Sequence, residues 1–111
     1  MILFSILLFS LAACLGLFLV VLGVRYHRNS LKIGLSHASI GLIALGLLIT
    51  QIVNGATNKY NNVAALLMIL ALTGGIMLFA LREQNKPPPM VLVGIHALMA
   101  LVGLLVLFIG F

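Results

Sequence analysis

Four long apolar runs divide the chain, at about residues 3 to 24, 33 to 53, 62 to 81 and 90 to 111, and the polar residues are gathered almost entirely between them. Each run approaches the ~20 residues a helix needs to cross a bilayer core. The breaks are short: Arg25-Tyr26-His27-Arg28-Asn29-Ser30-Leu31-Lys32, then Asn54-Gly55-Ala56-Thr57-Asn58-Lys59-Tyr60-Asn61, then Arg82-Glu83-Gln84-Asn85-Lys86 followed by Pro87-Pro88-Pro89. The pattern predicts an all-α membrane protein, a four-transmembrane-helix bundle forming one domain over residues 1–111. Asn29 or Ser30 is expected to cap the second helix and Asn61 or Asn62 the third. The proline run fixes an extended approach to the fourth, where missing N–H groups cost least.

Composition agrees with that pattern. Of the 111 residues 64% are hydrophobic and 6% charged, and a soluble domain of this length could not hide so much apolar surface. The +5 balance sets six Lys and Arg against the single acid Glu83. The bases sit at helix ends rather than in one patch, which reads as a topology signal and not as a nucleic-acid surface. The first and third breaks hold Arg25, Arg28, Lys32, Arg82 and Lys86. In a four-span chain those breaks share one side of the membrane, so the positive-inside rule expects both in the cytoplasm and both termini outside. Tyr26 and Tyr60 fall at opposite interfaces, where amphipathic rings sit.

Leu11-Ala12-Ala13-Cys14 matches the small-residue-then-cysteine pattern of a lipoprotein signal, yet no Lys or Arg precedes it and the apolar run continues to Val24. A retained span is the better reading, with Cys14 as a small packing residue. One cysteine forms no intrachain disulfide, no dithiol pair and no cysteine zinc site.

The two halves repeat. The second and fourth runs align as His37-Ala38-Ser39-Ile40-Gly41-Leu42-Ile43-Ala44-Leu45 against His96-Ala97-Leu98-Met99-Ala100-Leu101-Val102-Gly103-Leu104. This is a parallel repeat of two helical hairpins, related by an axis along the membrane normal. Helical spacing puts Gly34, His37, Gly41, Ala44 and Leu48 on one face of the second helix, and Val93, His96, Ala100, Gly103 and Leu107 on one face of the fourth. Both histidines then lie at similar depth, roughly 7 to 10 Å below the cytoplasmic helix ends.

Two neutral imidazoles from different helices, over clefts cleared by Gly41, Ala44, Ala100 and Gly103, are what a b-type haem requires for axial ligation of its iron. On this reading His37 and His96 are the metal ligands, and Arg25, Arg28, Lys32, Arg82 and Lys86 neutralise the propionates at the cytoplasmic interface. Each ring's second N–H also needs a partner, either a backbone carbonyl one turn earlier or Ser36 or Thr73. His27, between Tyr26 and Arg28, reads as a solvated interfacial residue. Met68, Met77, Met90 and Met99 read as apolar filler. Gly16, Gly23, Ala71 and Gly74-Gly75 are expected to let the first and third helices pack closely against the histidine helices.

Four helices with histidines near the start of the second and fourth, His37-Ala38 and His96-Ala97 each followed by Gly or Ala at plus 4, resemble the small bacterial membrane cytochromes b, loosely the cytochrome b561 class. Members of that class usually carry two histidine pairs and two haems, whereas this chain offers one intramembrane pair. The resemblance implies one-electron exchange, between the quinone pool and a cytoplasmic or membrane redox partner. One haem near the cytoplasmic side needs a partner haem, a quinone or dimerisation to complete a route across the membrane. It implies an electron carrier more than a quinol-linked oxidoreductase.

Rival readings come from other classes. Without haem, the same histidines suit an accessory or assembly subunit of a larger membrane complex, in which they pin helices together. A small histidine-based transporter is weaker, because two imidazoles without carboxylate or thiolate make a poor metal site. Multidrug-type cation export needs a membrane carboxylate, and Glu83 lies in a loop. Binding of a chlorophyll-like pigment is a variant of the haem reading.

Overall fold

The structure, a computed structural model, describes residues 2–28 and 30–111. It comprises four helices, α1 (Ile2–Tyr26), α2 (Leu31–Val53), α3 (Lys59–Glu83) and α4 (Met90–Ile109), each long and apolar enough to cross a membrane. They stand side by side in a bundle 43 Å long and 21 Å across. The chain is an all-α four-helix bundle of two repeated hairpins.

Local chemistry sets the ends. The Ile33 N–H donates to the Ser30 hydroxyl at 3.3 Å, so Ser30 caps α2, while Asn29 lies outside the described residues. The third helix starts a turn earlier than Asn61 or Asn62 as cap would place it, and it runs on through Glu83, which ends the helix instead of lying in a loop. Asn58 caps it, accepting from the Asn61 N–H at 2.8 Å. Asn61 is instead buried, its side-chain amide donating to the Ala56 carbonyl at 2.7 Å. Asn58 wins because it can adopt the extended conformation a cap needs, whereas Asn61 is already within the first helical turn. At the far ends α2 and α3 close through the same motif. Gly55 and Asn85 take positive φ (117° and 56°), and the next N–H, of Ala56 or Lys86, returns to the carbonyl of Gln51 or Leu81.

Inside hydrocarbon every backbone polar group needs a partner in the protein, and most side-chain hydroxyls here find one too, the fully buried Ser5 being without one. The hydroxyls of Ser10, Ser36, Thr50 and Thr73 each donate to the carbonyl four residues earlier in their own helix. Outward positions are apolar instead of charged: Leu17, Leu42, Ile43, Leu66, Leu98 and Leu101 are all exposed. That surface matches lipid tails and no other solvent.

Helix α1 packs along α2, and α3 along α4; the hairpins meet more sparingly through α2 with α3 and α1 with α4, leaving α2 and α4 on a diagonal. The core joins Ile6 and Phe9 of α1, Ala44, Leu45 and Leu48 of α2, Ala64, Ala65 and Met68 of α3, and Leu107 of α4. It occupies the half of the bundle away from the basic breaks. In the other half, beyond Ala12, Gly74 and towards the start of α2 and α4, the described residues are only partly buried or exposed.

Burial repeats in register. Ser5, Ile6, Phe9, Ala12, Ala44 and Leu48 are buried, and so are Ala64, Ala65, Met68, Ala71, Gly103 and Leu107, each 59 positions later (5 to 64, 48 to 107). The hairpin similarity first visible in the histidine helices thus extends through the first helix of each hairpin.

Candidate functional site

His37 and His96 lie 59 positions apart, one in each hairpin and both partly buried, with ring centres 6.1 Å apart and ring planes at 80°. Their diagonal helices bring them together at the edge of the core, on the side of the basic breaks.

Each ring is held by its own hairpin. His37 Nδ1 lies 2.7 Å from the Ala12 carbonyl oxygen, and His96 Nδ1 lies 2.7 Å from that of Ala71. A carbonyl only accepts, so Nδ1 carries the proton in both rings and donates it. A ring so held has, in its neutral form, an unprotonated Nε2, the lone pair a metal takes.

In a helix the carbonyl of Ala12 also faces the N–H of residue 16, and that of Ala71 the N–H of residue 75. Both of those residues are glycine. A Cβ at Gly16 would stand 2.9 Å from His37 Cε1, and one at Gly75 would stand 3.1 Å from His96 Cε1. The glycines therefore clear the ring's path to the carbonyl. Their part in close packing of the first and third helices on the histidine helices is as the sequence suggested. The acceptors are not: Ser36 and Thr73 turn back to Lys32 and Ile69 carbonyls, and the rings reach across to the neighbouring helix instead of one turn back along their own. Backbone acceptors carry no side-chain signature. Their trace in the sequence is the pair Ala12-x-x-x-Gly16 and Ala71-x-x-x-Gly75, displaced by the same 59 positions as the histidines.

The other candidates divide. Gly41 has open space where a Cβ would project, and Ala100 lies partly buried beside the core. Ala44 is fully buried in the core, and Gly103 is buried where a Cβ would meet Leu67 Cβ and Met68 Cε at 3.2 Å. Ala44 and Gly103 thus belong to the packed core, while Gly41 and Ala100 lie one turn beyond His37 and His96 on their own helices. Arg82 is partly buried and reaches across to α2, its Nη1 3.7 Å from where a Gly34 Cβ would stand. Arg25, Arg28, Lys32 and Lys86 are exposed around the same end. His27 is exposed in the first turn with φ of 51°, apart from the pair.

Among the described residues no group of three or more His, Cys, Asp or Glu is placed to hold a metal ion. The imidazole pair suits a metal that arrives with its other donors already attached, as iron does in a porphyrin. Compared with protein-family models, curated proteins and solved structures, the chain matches none. Its architecture alone places it: a helical bundle built to cross a membrane, with an imidazole pair where its two hairpins meet.

Proposed function

We propose that the protein is a membrane b-type cytochrome in which His37 and His96 hold one haem between α2 and α4. The observation that carries this is the ring pair itself. A metal held in line between two imidazole nitrogens at ~2 Å each sets the ring centres roughly 6 Å apart, and here they are 6.1 Å apart with both Nδ1 protons already given to carbonyls. Gly41 and Ala100 would border the macrocycle, and Arg82, with Arg25, Arg28, Lys32 and Lys86, would meet its propionates.

When bound, the haem supplies a one-electron couple. With His37 and His96 both holding it, the haem would have no free position for oxygen and would serve electron transfer. The quinone pool or a redox partner protein is the expected exchange partner. The basic breaks face the cytoplasm of a bacterial cell and both termini face outward, so the haem lies nearer the cytoplasmic face of the inner membrane.

The absorption spectrum of detergent-purified protein before and after dithionite tests this. A low-spin b-type spectrum is expected, lost in both His37→Ala and His96→Ala. Folded but colourless protein after expression with added haem would overturn it.

A further inference from the structure

A histidine ring turns easily about its last side-chain bond, because that torsion is broad. Something outside the ring must therefore set its plane. For His37 two restraints do so: the 2.7 Å bond to the Ala12 carbonyl, and the backbone of Gly16, from whose absent Cβ the ring atoms Cε1, Nδ1 and Nε2 lie at 2.9, 3.3 and 3.7 Å. His96 meets the same pair, the Ala71 carbonyl at 2.7 Å and Gly75, with Cε1, Nδ1 and Nε2 at 3.1, 3.6 and 3.9 Å in the same order. At Gly74 an added Cβ would stand 3.4 Å from His96 Cβ, so the base of that side chain also runs close to α3.

Each ring is thus held by its own hairpin. The angle between the rings becomes a property of how the two hairpins cross, and it is 80°. We propose that Gly16 and Gly75 are positioning residues which, with the carbonyls of Ala12 and Ala71, hold the two imidazoles crossed and so fix the electronic state of the iron between them. This rests on the haem reading above. Parallel imidazoles both interact with the same one of the iron's two π-symmetry d orbitals and split the pair. Crossed imidazoles take one orbital each and leave the two nearly equal in energy. The oxidised low-spin iron then has a strongly anisotropic paramagnetic resonance signal dominated by one low-field feature, where parallel rings give a rhombic, three-feature signal.

Purified ferric protein, examined by low-temperature electron paramagnetic resonance beside its optical spectrum, tests the proposal. The unmodified chain is expected to show the single low-field feature. Gly16→Ala, whose new Cβ has three His37 ring atoms as its nearest neighbours, should keep a bis-imidazole optical spectrum while its resonance moves towards the rhombic form. Gly75→Ala, with slightly more room, should move less, and Gly46→Ala, where a Cβ meets nothing, should not move at all. Should Gly16→Ala bind no haem, the unmodified chain and Gly75→Ala decide by the same signals. A rhombic signal from the unmodified haem-loaded chain, or glycine variants indistinguishable from it, overturns the crossed-ring assignment and leaves the haem reading standing. Protein that binds no haem overturns that reading and this one with it.

Discussion

His96 stands to the carbonyl of Ala71 as His37 stands to that of Ala12: each Nδ1 lies 2.7 Å from an oxygen 25 positions earlier in the chain. Two rings fixed by the same geometry in two hairpins make a site with one half in each hairpin, joined where the hairpins dock. The stability of that docking is therefore the first thing to measure.

Leu48 and Leu107 fill the contact between hairpins and are both fully buried, while Leu42 is 52% exposed to lipid. In a bilayer an excised leucine side chain loses packing but little transfer energy, since lipid is as apolar as the core. Leu48→Ala and Leu107→Ala are accordingly expected to fall at the low end of the roughly 2–5 kcal/mol seen for such cavities. Leu42→Ala should change stability by less than about 0.5 kcal/mol. Reversible unfolding in mixed detergent micelles compares the three, and equal losses at Leu42 and Leu48 would contradict the assigned core.

The caps give a second test. Removing the side-chain acceptor at a helix start costs ~1 kcal/mol. Asn58→Ala should cost more than Ser30→Ala, because Asn58 accepts at 2.8 Å and Ser30 at 3.3 Å. The same unfolding measurement reads both, and a reversed order would show that α3 begins elsewhere.

Arg82 differs from the other four bases at its end in reaching the opposite hairpin, near Gly34 and one turn from His37. A cation there favours the reduced, more negative form of a bound haem. Arg82→Gln is expected to lower the midpoint potential and to weaken haem retention, and Lys86→Gln, which is exposed, to do both less. Redox titration with haem loss followed in excess apomyoglobin compares them. Equal effects would mean that Arg82 acts only as part of a general basic rim.

Cys14 is exposed near the middle of α1, between the apolar stretches Leu11–Ala13 and Leu15–Val24, so its surroundings are lipid. Charged reagents are excluded from hydrocarbon. A charged maleimide should leave Cys14 unmodified in intact membranes and react with it fully once sodium dodecyl sulfate unfolds the bundle. Rapid labelling in membranes would place water at mid-helix and contradict the span assignment.

Much of this was legible in the residues. Hydropathy marks the four spans because nothing but lipid tolerates such surfaces, and the 3.6-residue period places His37, Ala44 and Leu48 inward together. Ser30 is recognisable as a cap, but Asn58 competes with three further asparagines close by, and only the backbone conformation chooses among them. The acceptors of the histidine protons were hidden for a different reason. Main-chain carbonyls are the same in every residue, so Ala12 and Ala71 are distinguished by where the helices lie and not by what they carry. Gly16 and Gly75 looked like packing residues and are; what packs on them is the imidazole.

The 59-position register means that the molecule carries its own control. A substitution at a buried position or at the ring pair in one hairpin has a twin in the other, 59 positions away. Where the twins are chemically alike, as at His37 and His96 or Gly16 and Gly75, a difference between the two variants measures how unlike the two faces of the site have become. Where they are not, as at Phe9 and Met68 or Ala44 and Gly103, exchanging the residues between halves shows how far two copies of one hairpin have specialised for their separate places.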